Sequence, residues 1–376
     1  MKKSMILFYL ICFIQINLTA QDSVTIGKYR KFESTILGGE ISYLEHLPED
    51  YGKTEKEYSV VFMMNGQDIS SFASAVATIE ILSGERVPDM ILIGISNTGI
   101  AQNSWACPDD SGKVLGASNF FKFLKQELLP EIKKNYRTNN YKILMGQSNS
   151  GLFALHSFFT NPDLFDAYIV ASPMLGWCPD YFLNQAKKFL DPNKTLNQKL
   201  YISYGDLDYV EVLNHIQAFK DILTKQSPKE FMWQLDLIEN CGHVPQATLN
   251  NALLFFFLEC TITAERKKYS VAEIKSHFEN LSKKYGFNVY PKAGILLDMA
   301  FDYKSGKQYY RAIELLNYLI SLYPNSAMYY YALGHTYYKI GDMQLAIESL
   351  KESLRIDTKF ARSEQLLTKI NGEIEK

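Results

Sequence analysis

Cysteine is scarce in this sequence, five among 376 residues, too few for a small scaffold held together by disulfides. A surplus of one charge is missing as well. Lysine and arginine number 39 against 41 aspartates and glutamates, a net charge of -2, so nothing favours a nucleic-acid backbone or an anionic membrane as the main partner. After the leader described below, no run reaches the roughly 18 uninterrupted apolar residues that a membrane span needs. Histidine and cysteine do not cluster at metal-ligand spacing: Cys241 and His243 alone cannot complete a site of three or four ligands, and neither a metal nor an organic cofactor is implied. What is present is ordinary globular material, 47% hydrophobic and 14% aromatic, too apolar for disorder. At one domain per ~150 residues, two or three domains are expected.

The first twenty residues read as an export signal. Lys2 and Lys3 precede an apolar run from Met5 to Phe13, and a small-residue exit follows at Thr19-Ala20. The run is too short for an anchor. Ile11 occupies the position where lipoprotein processing at Cys12 wants a small residue. Cleavage would leave 37 basic against 41 acidic residues and a soluble protein in a periplasmic or extracellular space. In that oxidising compartment Cys107, Cys178, Cys241 and Cys260 remain.

From residue 21 to 262 short β-type runs alternate with amphipathic segments, the pattern of a mostly parallel sheet wrapped by helices. The runs are Tyr58 to Met64, Met90 to Ser96, Tyr141 to Met145, Ala167 to Ala171, Lys199 to Tyr204 and Phe231 to Leu237. Asn119 to Asn135 carries Phe120, Phe123, Leu124, Leu128 and Ile132 at helical spacing. An α/β fold follows. From 263 to 376 helical periodicity takes over, and an offset of 34 residues pairs Met299 with Leu333, Tyr303 with Tyr337, Ala312 with Ala346 and Leu316 with Leu350. That is the tetratricopeptide period, and about two repeats fit. Two repeats cannot bury a continuous core alone, so Val271 to Tyr285 is expected to bridge them to the first domain.

The chemistry gathers around Gly146-Gln147-Ser148-Asn149-Ser150-Gly151, which lies between a strand and a helix-like segment. A serine on a sharp strand-to-helix turn needs small neighbours two positions either side; Gly146 supplies one, and Ser150 stands where the pattern usually has a second glycine. A base and an acid follow in the order nucleophile, acid, histidine. His243 lies in the loop Asn240 to Pro245 after the last strand, whereas His156, eight residues beyond Ser148 on one helix, is about 12 Å along the axis and out of reach. The acid is expected at Asp208, after Lys199 to Tyr204, with Asp206 in the same turn as the alternative. Two backbone N–H groups are expected to form an oxyanion hole, those of Asn149 and of Gln67 in Met64-Asn65-Gly66-Gln67-Asp68.

With these motifs in place, residues 36 to 260 resemble the esterase D or enterochelin-esterase-like branch of the α/β-hydrolases. The resemblance rests on Val60 to Gly66, Gly94 to Thr98, Phe123 to Pro130 with Tyr136-Arg137-Thr138, and Gly146 to Leu152. Pro162 to Asp166, Ser172-Pro173 and His243-Val244-Pro245 extend it. It implies a hydrolase acting on esters of siderophores, acylated sugars or small thioesters, in some relatives with a C-terminal tetratricopeptide region. The sequence departs from the pattern at Asn65, where the family often has an acid, and from Gly99 to Pro108, which contain no arginine.

The expected function is thus a secreted serine esterase acting on a small-molecule ester through Ser148, Asp208 and His243. A peptidase using the same groups is a further option. The contrasting class is an inactive hydrolase fold whose repeats recruit a protein or peptide in their groove. Trp105, Trp177 and Tyr181 fall in loops that should border Ser148 and offer stacking surface for substrate. Cys107 and Cys178 both follow strands of one sheet at the end where active sites gather, and a disulfide between them is expected.

Overall fold

The computed structural model describes residues 25–374 apart from 53, 85 and 97–103. The expected leader, and Asn97 and Thr98 of the family resemblance, lie outside the described residues. The strands are β1 (Lys28–Ser34), β2 (Gly39–His46), β3 (Tyr58–Met64), β4 (Met90–Ile95), β5 (Thr138–Gln147), β6 (Ala167–Ala171), β7 (Lys199–Gly205) and β8 (Met232–Ile238). They form one sheet in the order β1-β2-β4-β3-β5-β6-β7-β8. The β1–β2 hairpin is antiparallel and joins β4 antiparallel, and every other pairing is parallel. This is the α/β-hydrolase arrangement. All residues of β3, β4 and β6 are buried, as both faces of the sheet are covered and each strand reads as a continuous apolar run.

Alternation along β3 divides the interior into two layers. Val60, Phe62 and Met64 face a core containing Phe120, Phe153, Phe158 and Phe219, while Val61 and Met63 face one containing Phe72, Leu253 and Phe256. The first layer is built by α2 (Leu115–Phe123), α3 (Leu129–Asn135), α4 (Asn149–Thr160), α5 (Pro179–Phe189) and α6 (Val210–Gln226). The second is built by α1 (Ile69–Ser83) and α7 (Thr248–Phe256). The single helix expected over 119–135 is interrupted by a π turn at Leu124–Leu128. Pro130 has no N–H to continue the i→i−4 ladder, and the wider turn lets the Leu129 N–H reach the Leu124 carbonyl instead. Glu127 of that turn accepts from the Ser34 hydroxyl at 2.6 Å and from the backbone N–H of Thr35 at 3.0 Å, tying the β1–β2 hairpin to the helix layer.

In the C-terminal region α8 (Val271–Tyr285) opens with a capping box between Ser270 and Glu273 and ends at Gly286 in the left-handed region. Two antiparallel pairs follow, α9 (Ala293–Ser305) with α10 (Tyr309–Leu322) and α11 (Ala327–Ile340) with α12 (Met343–Ile356), then α13 (Ala361–Ile374). The paired positions Ala312 and Ala346, and Leu316 and Leu350, are buried as the 34-residue repeat requires. Ile274, Phe278 and Leu281 of α8 share a core with Val61 and Leu253, so this helix joins the repeats to the sheet. Lys292 adds an ion pair to Asp89 at 2.8 Å across the same junction. Among the described residues no helix is long and apolar enough to cross a membrane.

Candidate active site

The strand order turns around at β3: the chain steps to β4 on one side of it and then to β5 on the other. The crevice at the carboxyl ends of such strands is where α/β proteins hold ligands. Ser148 sits there, between β5 and α4, at φ 55° and ψ -119°, a conformation that side chains other than glycine rarely adopt. Its N–H donates to the Ala171 carbonyl at 2.8 Å, which places the turn against the end of β6. Glycine is required at 146 because a Cβ there would stand 2.1 Å from the Ser150 carbonyl oxygen. Ser150 is buried, and its hydroxyl donates to Asn65 Oδ1 at 2.9 Å. The serine that replaces the second glycine therefore links the elbow to the loop after β3.

His243 and Asp208 are brought together, with His243 Nδ1 2.6 Å from Asp208 Oδ1. A carboxylate can only accept, so Nδ1 carries the proton and neutral imidazole presents Nε2 as an acceptor. The Asp208 side chain is fully buried, whereas the imidazole is 20% exposed. Beyond His243, the carboxylate accepts from the Ser172 hydroxyl at 2.6 Å, the Tyr209 N–H at 2.8 Å and the Gly205 N–H at 3.3 Å. These donors fix the carboxylate in orientation behind the imidazole. Asp206 does something else: its Oδ1 accepts from the Cys241 N–H at 3.0 Å, clamping the histidine loop. That loop lies directly on Gly205, where a Cβ would meet the Cys241 carbonyl oxygen at 2.0 Å.

Two residues of this network were not singled out for the site in the sequence. Ser172, at φ 45° just past β6, donates to Asp208 and accepts from the Val244 N–H at 2.9 Å, joining acid loop to histidine loop. Tyr209 lays its ring 4.5 Å from the imidazole. The adjacency of Tyr209 to Asp208, and the position of Ser172 at a strand tip, were the available signals.

The other expected site residues are placed as follows. Gly66 packs so tightly on Gly94 that a Cβ would fall 2.1 Å from its carbonyl carbon, and the next residue, Gln67, is exposed at the rim. Asn149 is the first residue of α4, so its N–H belongs to the free first turn of that helix. Trp105 and Trp177 stack on each other with centroids 5.3 Å apart, and Cys107 and Cys178 are bridged. Tyr181 is directed into the helix layer, its hydroxyl 3.3 Å from His156 Nδ1 and its ring against Phe182. Burial pushes the His156 imidazole down to about 4, so it is neutral there.

A serine on a strained turn, an imidazole held through Nδ1 and a buried carboxylate behind it form a set that can carry out acyl transfer. The family model described as Putative esterase matches residues 34–235, and a tetratricopeptide repeat model matches residues 327–360. Among curated relatives, the chain is 35% identical over 96 residues to the ferri-bacillibactin esterase BesA of Bacillus subtilis, covering 25% of this chain and 33% of that one. It is 30% identical over 143 residues to the siderophore enterobactin esterase of Emericella nidulans, covering 36% and 46%. The chain thus spans less than half the length of these curated relatives. Among solved structures, an IroE-like serine hydrolase from Shewanella oneidensis superposes with a TM-score of 0.65 at 23% identity, covering 79% of this chain and 99% of the other. An uncharacterised protein from Capnocytophaga ochracea gives 0.60 at 16% identity and covers 92% and 99%. These likenesses extend the shared fold into the C-terminal region.

Proposed function

The chain belongs to the Putative esterase family, and on that footing we propose that it is an exported serine esterase cleaving carboxylic esters through an acyl-enzyme. The observation that carries the reading is the buried Asp208 carboxylate 2.6 Å from His243 Nδ1, together with the strained Ser148 at the strand-order turning point. His243 Nε2 takes the Ser148 proton as Oγ attacks the ester carbonyl. The N–H groups of Asn149 and Gln67 receive the charge that develops on the carbonyl oxygen. The imidazolium then protonates the leaving alcohol, and the acyl group stays on Ser148. Water, deprotonated by the same imidazole, releases the acid and restores the serine. Asp208 keeps the imidazole in the right tautomer and stabilises its charged form without taking the proton.

The substrate is proposed to be a siderophore or an acylated sugar. Two relatives are named as siderophore esterases, of triacetylfusarinine C and of enterobactin, and an exported enzyme would meet such compounds. The tetratricopeptide pairs α9–α10 and α11–α12 are proposed to take a protein or peptide in their groove. Turnover of p-nitrophenyl acetate, a catecholate trilactone and acetylated and feruloylated sugars tests the reading. Ser148→Ala should lower the rate by about 10⁴ or more. No turnover by the wild type on any of these esters would favour the inactive scaffold, and full activity in Ser148→Ala would remove the serine from the mechanism.

A further inference from the structure

Three large aromatic side chains stand partly in solvent on segments that lead to His243. Trp105, Trp177 and Tyr209 are 43%, 46% and 57% exposed, although each is held by a fixed backbone. The Trp105 carbonyl accepts from the Ala117 N–H at 2.9 Å, the Trp177 N–H donates to the Met174 carbonyl at 3.1 Å, and Tyr209 is the N-cap residue of α6. Close contacts link the segments that carry them. The Tyr209 ring lies 4.5 Å from the His243 ring, and Glu211, two residues on, packs so closely on Gly176 that a Cβ there would be 2.7 Å from the Glu211 Cα. Trp177 follows Gly176, and its ring stacks on Trp105 at 5.3 Å. One disulfide, Cys107–Cys178, joins the two tryptophan loops across a sequence separation of 71, with each cysteine one or two residues from its tryptophan.

We propose that the Trp105–Trp177 stack, pinned by the Cys107–Cys178 bond and continued to His243 by Tyr209, is a subsite for a planar aromatic ring of the substrate. It rests on the esterase reading and adds what selects the ester. Two indoles that pack on each other yet leave nearly half their surface in water present a flat apolar face, the shape on which another ring stacks in an offset or edge-on manner. Burial in the loop would account for the tryptophans if they were enclosed, and they are not. The disulfide is a positioning element. Without it the loops lose their covalent tie, and the ring-binding face is no longer held as one surface while the Ser148, His243 and Asp208 loops keep their own ties.

The test compares KM for ethyl ferulate, with a ring in the acyl part, phenyl acetate, with a ring in the alcohol part, and ethyl butanoate, with none. In Trp177→Ala and Trp105→Ala the ratio of ring-bearing KM to ethyl butanoate KM should rise about 3- to 10-fold, the change sitting in KM, and Trp177→Phe should recover most of it. Dithiothreitol should act alike on the wild type: its two thiols close into one disulfide as Cys107 and Cys178 each gain a hydrogen, a two-electron exchange. Cys107→Ser/Cys178→Ser should no longer respond to the reductant. Which ring-bearing ester responds tells whether acyl or alcohol part occupies the strip. Ratios unchanged for both would overturn the subsite, as would equal losses on all three esters. If the wild type hydrolyses none of them, the esterase reading fails, and titration with ferulate by tryptophan fluorescence still decides the subsite. Saturable quenching abolished in Trp177→Ala and by dithiothreitol supports it, and quenching unaffected by either overturns it.

Discussion

Ser148 at φ 55° holds a conformation that costs of order 1–3 kcal/mol, and its surroundings leave it no relaxed alternative: Gly146 admits the Ser150 carbonyl where any side chain would collide, and the Ser148 N–H is taken by Ala171. The same economy of position separates the two aspartates of the turn after β7. Asp208 is buried and receives four donors, one of them the imidazole, while the Asp206 carboxylate lies at the surface and receives backbone N–H groups of the histidine loop, which draw its pKa down. Asp208→Asn should therefore lower turnover about 10⁴-fold, because an amide must turn an NH₂ toward at least one of those donors and loses its hold on the tautomer. Asp206→Asn should stay within about 10-fold, as Oδ1 can still accept from Cys241. Steady-state kinetics of the pair checks this, and a reversed order would put the orienting role on Asp206. The sharp turn at Ser148 and the meeting of Asp208 with His243 were legible because motif and chain order point to them together. Ser172 and Tyr209 were not, since their roles depend on a positive φ and on a ring contact that only the assembled loops create.

At the scale of elements, the elbow, the loop after β3 and the strand tips act as one unit through short-range ties. Ser150→Gly tests how the departure from the usual glycine is used. The variant loses the hydrogen bond to Asn65 and should cost roughly 1–2 kcal/mol of stability while retaining turnover within about 10-fold. Thermal denaturation and kinetics on the same sample read both; collapse of activity without loss of stability would instead assign Ser150 a part in the chemistry. The strands β3 to β7 could be seen in the sequence because parallel strands covered on both faces become apolar runs, and β8 at the sheet edge, where Leu235 is the one buried residue, still carries enough β-type residues to read as a strand. The first strand could not: Lys28, Tyr29, Arg30 and Lys31 are all exposed, and what fixes the hairpin is pairing with β2 and the reach of Glu127. The π turn at 124–128 was likewise hidden, as the helical spacing of apolar residues continues through it.

For the molecule as a whole, the repeats and the sheet meet in a shared core, and Lys199 marks the joint. Its ammonium group lies 4.3 Å from the Tyr285 ring centroid of α8 and donates to the Phe256 carbonyl at 2.6 Å, and burial, helped by Lys284, pushes it down to about 8. In the unfolded chain it titrates near 10.5. Between these values the unfolded state binds more protons, so this group makes stability rise with pH from about 8 to about 10.5 and is a cost below that window. Lys199→Met leaves the Phe256 carbonyl with the Tyr285 hydroxyl as donor, at 2.8 Å. The stability difference between wild type and variant should shift toward the wild type by an order of 1–3 kcal/mol across that window. Urea denaturation at pH 7 and pH 10 measures it, and a pH-independent difference would contradict a buried, titrating lysine at the joint. The 34-residue offset made the helical repeats legible, whereas the lysine gave no sign, since its setting is built from Phe256 and Tyr285, far along the chain. The central claim, that this fold forms an acyl-enzyme on Ser148, is tested most directly by treating the intact protein with a fluorophosphonate and locating the adduct by peptide mass spectrometry. One adduct per chain on Ser148, absent in Ser148→Ala and slowed in His243→Ala, is the predicted result; an unlabelled wild type, or an adduct on Ser150, would contradict it.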